Sequence, residues 1–211
     1  MANPGFRTGG GGGPGSQGSG PGGGGGLGGS GLPGSPFSQA QILHLMKAEF
    51  ARARRHGLPL ACLVIQIDRI AFLADYHGLD LKSRLLKELG RLVSEKTRGA
   101  DNLGLITDDR YLLLLPHTTE AQAEVVAERI RCTFAELVVE SQGVRIPTTL
   151  SLGAAAADPQ TLFFDTLISQ AEVAAEWAAG AGGDQTVPFQ RDRYLKLHPE
   201  GGPAESGSSK P

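Results

Sequence analysis

Cysteine, methionine and tryptophan are scarce in this chain: two, two and one among 211 residues. Two cysteines cannot build a disulfide framework. Cys62 and Cys132 both fall inside apolar segments, so they are expected to be reduced, packed thiols. Charge of one sign is not in excess either. Twenty Lys and Arg against 22 Asp and Glu leave a formal net charge of −2, which gives no general argument for nucleic acid or an anionic membrane as partner. No apolar run approaches the ~18 residues of a membrane span. No apolar h-region follows Met1, so a secretory signal is not expected. These absences leave a reducing cytoplasm as the expected compartment.

Glycine is abundant and unevenly placed. Eighteen of the 31 glycines lie between Met1 and Gly34, in runs such as "GGGGGPGSQGSGPGGGGG". Such a segment cannot bury enough apolar surface to offset its ordering entropy. Residues 1–36 are therefore expected to be a disordered tether, and 198–211, with "PEGGPAESGSSKP", a second tail. Residues 37–197 remain, enough for one sizeable core.

Within that core the hydrophobic periods alternate. Ser38 with Gln41 three residues later is a helix-start pattern, followed by Ile42, Met46, Phe50 and Ala53 on one helical face. "LACLVIQI" (Leu60–Ile67) reads as a buried central strand. Leu81, Leu85, Leu89, Leu92 and Val93 recur at helical spacing. Two short apolar pieces, Leu103–Ile106 and Tyr111–Leu115, flank "TDDR" and predict a hairpin with Asp108 and Asp109 at its tip. A helix over "TEAQAEVVAERIRCTFAELVVE", a strand over "RIPTTLSLGAAAA", a helix over "TLFFDTLISQAEVAAEWAAG" and a short strand near Val187–Gln190 complete the set. That order describes an α/β sandwich around a mixed, mostly antiparallel sheet.

With these residues the order resembles the GGDEF domain, the catalytic fold of diguanylate cyclases, which join two GTP into cyclic di-GMP in bacterial signalling. The resemblance rests on "PLACLVIQID", "DDRYLLLLP", "AERIR", "TTLSLGAA" and the last helix. It implies a D-x-D at the end of the first strand for Mg²⁺, and here that reads Gln66 and Asp68; a neutral amide is a poor Mg²⁺ anchor. Arg69 and Ala71 depart from the family pattern just beyond. The family's base-reading Asn and Asp fall at Ala74 and Ser83. The signature itself reads Thr107, Asp108, Asp109, Arg110, Tyr111: both glycines are replaced, and Arg110 stands for an acid. The phosphate-contacting Lys and Arg of the last helix fall at Ala179 and Gly183. No catalytic residue, bound metal or cofactor is therefore expected, and the TDDRY stretch is taken as a vestigial active site. Asp68, Asp108 and Asp109 have a second reading, a rearranged metal site; the competing one is ordinary strand-end and turn solvation, with Arg110 neutralising the pair beside it.

One other family feature is present. Many members carry an inhibitory R-x-x-D five residues before the signature. "RGAD" places Arg98 and Asp101 at that offset, and it is the only R-x-x-D in the chain. Arg129 of "AERIR" falls where the resemblance puts a third basic residue. Arg grips phosphate bidentately and stacks on a purine face, while Asp accepts from the guanine Watson–Crick edge. The resemblance thus implies a non-catalytic receptor that binds cyclic di-GMP at Arg98, Asp101 and Arg129. Arg52, Arg54 and Arg55 are candidates for a second arginine patch, or simply a solvated helix end. Two alternatives stay open: a pseudoenzyme that docks an unidentified protein, and a residual cyclase; a homodimer stays open too. His56 and His77 lack ligand spacing, and Trp177 reads as a covering residue with no stacking platform beside it.

A glycine-rich coil contributes no core contacts. Deleting residues 1–34 is expected to leave the melting temperature of the rest within about 2 °C, measured by calorimetry.

Overall fold

The computed structural model describes residues 36–199 apart from 142. The expected tails, 1–36 and 198–211, lie almost wholly outside the described residues. In chain order the elements are α1 (Gln39–His56), β1 (Leu60–Ile67), α2 (Ile70–His77), α3 (Leu79–Lys96), β2 (Asn102–Leu105), β3 (Arg110–Pro116), α4 (Glu120–Ala135), β4 (Val139–Ser141), β5 (Val144–Ile146), β6 (Leu150–Ala156), α5 (Phe164–Gly180), β7 (Gln185–Pro188) and α6 (Arg191–Leu197). The main sheet has the order β2-β3-β1-β6-β7. β2–β3, β3–β1 and β1–β6 pair antiparallel, and β6–β7 pair parallel. The mixed, mostly antiparallel α/β sandwich is thus the observed fold.

β1 is central because it has no polar residue except one at its end. Ala61, Leu63, Ile65 and Ile67 point into one core with residues of α2, α3 and α4. Leu60, Cys62 and Val64 point the other way, against α1 and α5. That alternation follows from the two-residue period of a strand with helices on both faces. The α1 stripe is the expected one, Ile42, Met46, Phe50 and Ala53, all buried. At its start Gln41 Oε1 accepts from the Ser38 N–H at 3.0 Å, and Gly57 at φ 64° ends it.

Two glycines set how closely helices approach the sheet. A Cβ on Gly153 in β6 would overlap the backbone of α5 at Ala171 and Ala175, and one on Gly104 in β2 would overlap the Ile42 side chain. Outside β2, Phe37 forms a parallel bridge to Gly104; its N–H donates to Leu103 O at 2.8 Å and its carbonyl accepts from the Leu105 N–H at 2.9 Å.

The C-terminal half differs from expectation in four places. The helix expected through Glu140 stops at Ala135, because Val138 and Val139 are β-branched and Gly143, at φ 76°, turns the chain into a small β4–β5 hairpin. The following strand begins at Leu150 instead of Arg145. α5 starts three residues later than Thr161, after Asp158 Oδ1 accepts the Gln160 and Thr161 N–H groups at 2.8 and 2.6 Å. The short final strand lies at Gln185–Pro188 and is followed by α6, which has no buried residue. Cys132 is exposed, not packed. It lies two residues past Ile130 on α4, on the side opposite the buried Ala123, Ala127, Ile130 and Phe134.

Trp177 is half-buried and, against expectation, has a stacking partner. Its ring stacks on Phe189 at 5.7 Å and 5°, and the Arg193 guanidinium lies 4.3 Å from its centroid. These contacts hold α6. Because helix backbone fills the space beside Gly153, Gly153→Ala is expected to lower unfolding free energy by about 3 kcal/mol or more, read by chemical denaturation.

Candidate functional site

Two groups of residues were singled out, and they lie at different places in the fold. The first is at the end of β1. Gln66 is registered between Arg110 on β3 and Ser151 on β6. Two residues on, the Asp68 carboxylate accepts three hydrogen bonds: Thr149 Oγ1 to Oδ2 at 2.6 Å, Ser151 Oγ to Oδ1 at 2.6 Å, and the Asp184 N–H to Oδ2 at 2.9 Å. Its own N–H donates to Thr149 O at 2.9 Å. Gly183, at φ 78°, sits against this carboxylate so closely that a Cβ there would come within 2.7–2.9 Å of its atoms. A side chain at position 183 would need both a left-handed backbone and a displaced Asp68 carboxylate.

The clasp continues outward. The Asp184 carboxylate pairs with Arg131 on α4, which also pairs with Glu128. The hydrogen bond from Arg131 holds the Glu128 carboxyl below the usual range. A depressed carboxyl stabilises the fold above its unfolded pKa and loses that contribution as pH falls through the folded value. Glu128 is half exposed, so the contribution is small.

At the hairpin, Ile106 N–H donates to Arg110 O at 3.0 Å and Thr107 Oγ1 donates to Asp109 Oδ1 at 2.8 Å. Asp108 is exposed at the tip. Arg110 does not neutralise Asp108 and Asp109 as expected. It lies on the β3 face towards α5, and its ion-pair partner is Glu176, at 3.7 Å. Tyr111 is buried, and its hydroxyl donates to Leu86 O at 3.0 Å; burial raises its pKa above the ordinary phenol value. Among the described residues, no three His, Cys, Asp or Glu side chains are gathered as a cation site would need.

The second group lies at the turn between α3 and β2. Asp101 Oδ2 accepts the Arg98 N–H at 2.8 Å, and the Asp101 N–H returns to Arg98 O at 3.0 Å. Such a closed turn is what an Asp side chain favours. Arg129 reaches across from α4 and donates to Lys96 O at 2.6 Å, at the last residue of α3. The fold thus gathers Arg98, Asp101 and Arg129 around one turn. Arg98 and Arg129 are exposed, and no hydrogen bond or ion pair engages the Arg98 side chain among the described residues. Arg52 is engaged by Glu49 on its own helix, and Arg54 donates to Leu162 O at the start of the approach to α5.

Sequence reasoning missed Thr149, Ser151 and Asp184 as partners of Asp68. A signal existed: in "TTLSLG" two hydroxyl residues recur at the strand period, opposite the end of an antiparallel β1.

The family profile described as "Diguanylate cyclase, GGDEF domain" matches residues 37–185. The chain is similar to diguanylate cyclase DosC of Escherichia coli (strain K12), 28% identical over 112 residues, which is 53% of this chain and 24% of that protein. It thus spans about a quarter of the length of that curated relative. Its fold is similar to the active GGEEF domain of a diguanylate cyclase from Vibrio cholerae, with TM-score 0.71 and 22% identity over 74% of this chain and 99% of that one. It is also similar to the GGDEF domain of DgcB from Caulobacter crescentus, solved in complex with cyclic di-GMP, with TM-score 0.69 and 13% identity over 72% and 90% of the two chains. No helix among the described residues is long and apolar enough to cross a membrane.

Removing a carboxylate that three donors converge on leaves those donors unpaired. Asp68→Ala is expected to cost about 2–4 kcal/mol of stability. Asp109→Ala, which loses one exposed contact, should stay within about 0.5 kcal/mol. Paired urea titrations of the two variants check the difference.

Proposed function

The chain belongs to the GGDEF domain family, and from that premise we propose that it is a catalytically inactive member that receives cyclic di-GMP at Arg98, Asp101 and Arg129. The observation that carries this reading is the contrast between its two candidate sites. At the end of β1 the donors do not fit a divalent cation. Gln66 is neutral, the Asp68 carboxylate is held by Thr149, Ser151 and the Asp184 N–H, and Arg110 brings a cation that pairs with Glu176. At the α3–β2 turn, two arginines and an aspartate sit together on the surface.

Each residue has a role in that reading. Arg98 and Arg129 bind phosphate or the Hoogsteen edge of guanine by charge-assisted hydrogen bonds. Asp101 accepts from guanine N1 and N2. Binding requires Asp101 to share its carboxylate with the Arg98 N–H, and Arg129 to exchange the Lys96 carbonyl for ligand. The reading needs no metal or cofactor, and places the domain in the cytoplasm, where a soluble second messenger can reach it.

A second reading has one observation in its favour: Phe72 and Tyr76, on the helix that follows Asp68, stack on each other and stand exposed. They suit a pseudoenzyme that docks protein.

Calorimetric titration with cyclic di-GMP and with GTP separates these readings from a residual cyclase. Cyclic di-GMP is expected to bind, more weakly as salt rises. Arg98→Ala and Arg129→Ala should each cost about 1.5–3 kcal/mol of binding, and Asp101→Asn should erode the preference for guanine over adenine. GTP with Mg²⁺ or Mn²⁺ should yield no cyclic di-GMP. A wild-type chain that ignores cyclic di-GMP at ~100 μM, where even about −5.5 kcal/mol would register, leaves the docking reading alone; turnover lost in Asp109→Ala restores the cyclase.

A further inference from the structure

A cavity of about 370 Å³ opens at the end of the sheet opposite Asp68, between the start of β1, the end of β6 and the first residues of α4 and α6. It shares no residue with the Arg98 turn or with the clasp around Asp68. That volume suits one small molecule.

The backbone beside it is left incomplete. β6 pairs with β7 only as far as Ala154 opposite Pro188, and the Phe189 N–H then donates to Ala154 O at 2.8 Å. The Ala157 N–H is taken by Leu60 O on β1 at 2.8 Å. Backbone groups alternate sides along a strand, so Ala156 faces the edge that β7 has already left for α6. The N–H and C=O of Ala156 on that edge have no partner among the described residues, and Ala156 lines the cavity. A half-buried donor and acceptor left open together favour a ligand that supplies both complements.

The side chains specify which ligand. Phe189 gives an apolar wall, held in place by its stack on Trp177. Arg191 places one N–H on Gln160 Oε1 at 2.6 Å, and its other donors are open among the described residues. Asp158 spends Oδ1 on the Gln160 and Thr161 N–H groups. Its Oδ2, the Glu120 carboxylate and the Gln170 amide are engaged by nothing among the described residues. Two anions and one cation around a cavity complement a ligand with two cations and one anion.

We propose that this cavity binds a free basic α-amino acid. Its carboxylate meets Arg191 and the Ala156 N–H. Its α-ammonium meets the Ala156 carbonyl and one of the two acids, its side-chain cation meets the other acid, and its methylene chain lies along Phe189. Arg191, Asp158 and Glu120 are open to water, so each ion pair adds little and the complex exchanges rapidly. The inference does not rest on cyclic di-GMP binding.

Calorimetric titration of the full chain with L-lysine is the test, beside three relatives that each lack one group. Norleucine lacks the ε-ammonium, cadaverine the carboxylate, and Nα-acetyl-lysine the α-charge. Lysine is expected to saturate with a Kd at or below ~1 mM, and each relative to bind about threefold more weakly or worse. Arg191→Ala should weaken lysine but not cadaverine, closing the gap between them, a change that general damage to the fold would not produce. Glu120→Gln/Asp158→Asn should close the gap between lysine and norleucine. The three substituted side chains are exposed, and circular dichroism melting checks that the variants are folded. No saturable heat with lysine up to ~10 mM, norleucine or cadaverine binding as tightly as lysine, or an unchanged gap in Arg191→Ala would each overturn the proposal.

Discussion

The Asp68 carboxylate lies where β1 ends, and three donors from two other stretches of chain converge on it. Thr149 and Ser151 bring β6, and the Asp184 N–H brings the turn from α5 into β7. Through Arg131, Asp184 extends the linkage to α4. A single charged group therefore fixes the register of one strand pair, the approach of an edge strand and the seat of a helix. Its energetic weight comes from asymmetry: a satisfied charge contributes modestly, while three stranded donors would cost much more. The same carboxylate crowds any side chain that would stand at Gly183.

Much of the sheet was legible because periodicity survives without tertiary context. Leu60–Ile67 has one polar residue in eight, and only a doubly covered strand suits such a run. The α1 stripe and its Ser38–Gln41 start were equally plain, since local hydrogen bonds and local spacing determine both. The miscalculated part was the region after Phe134. There the apolar residues continue at a spacing compatible with helix, and a glycine at positive φ decides for a hairpin. α6 was invisible for a related reason. It buries nothing, so it carries no amphipathic signal, and aromatic and cation–π contacts with Trp177 and Phe189 hold it.

The candidate sites were legible to unequal degrees. R-x-x-D is a local spacing, and the turn it forms uses its own backbone, so Arg98 and Asp101 could be paired from the sequence. Arg129 lies on another element, and only the fold brings its guanidinium to the end of α3. Which partner Arg110 chooses, or which hydroxyls hold Asp68, depends on cross-strand geometry that no linear spacing states.

The Phe37 bridge beside β2 bears on how the molecule behaves in a crowd. A sheet edge with open N–H and C=O groups is a template on which another chain can continue the sheet. The outward groups of β2 at Leu103 and Leu105 are taken by Phe37, and the opposite edge strand ends at Pro188, which has no donor to offer. Growth by strand addition is blocked at one end and shortened at the other. Side chains, more than open backbone, are therefore what the sheet edges of this domain offer to a neighbour.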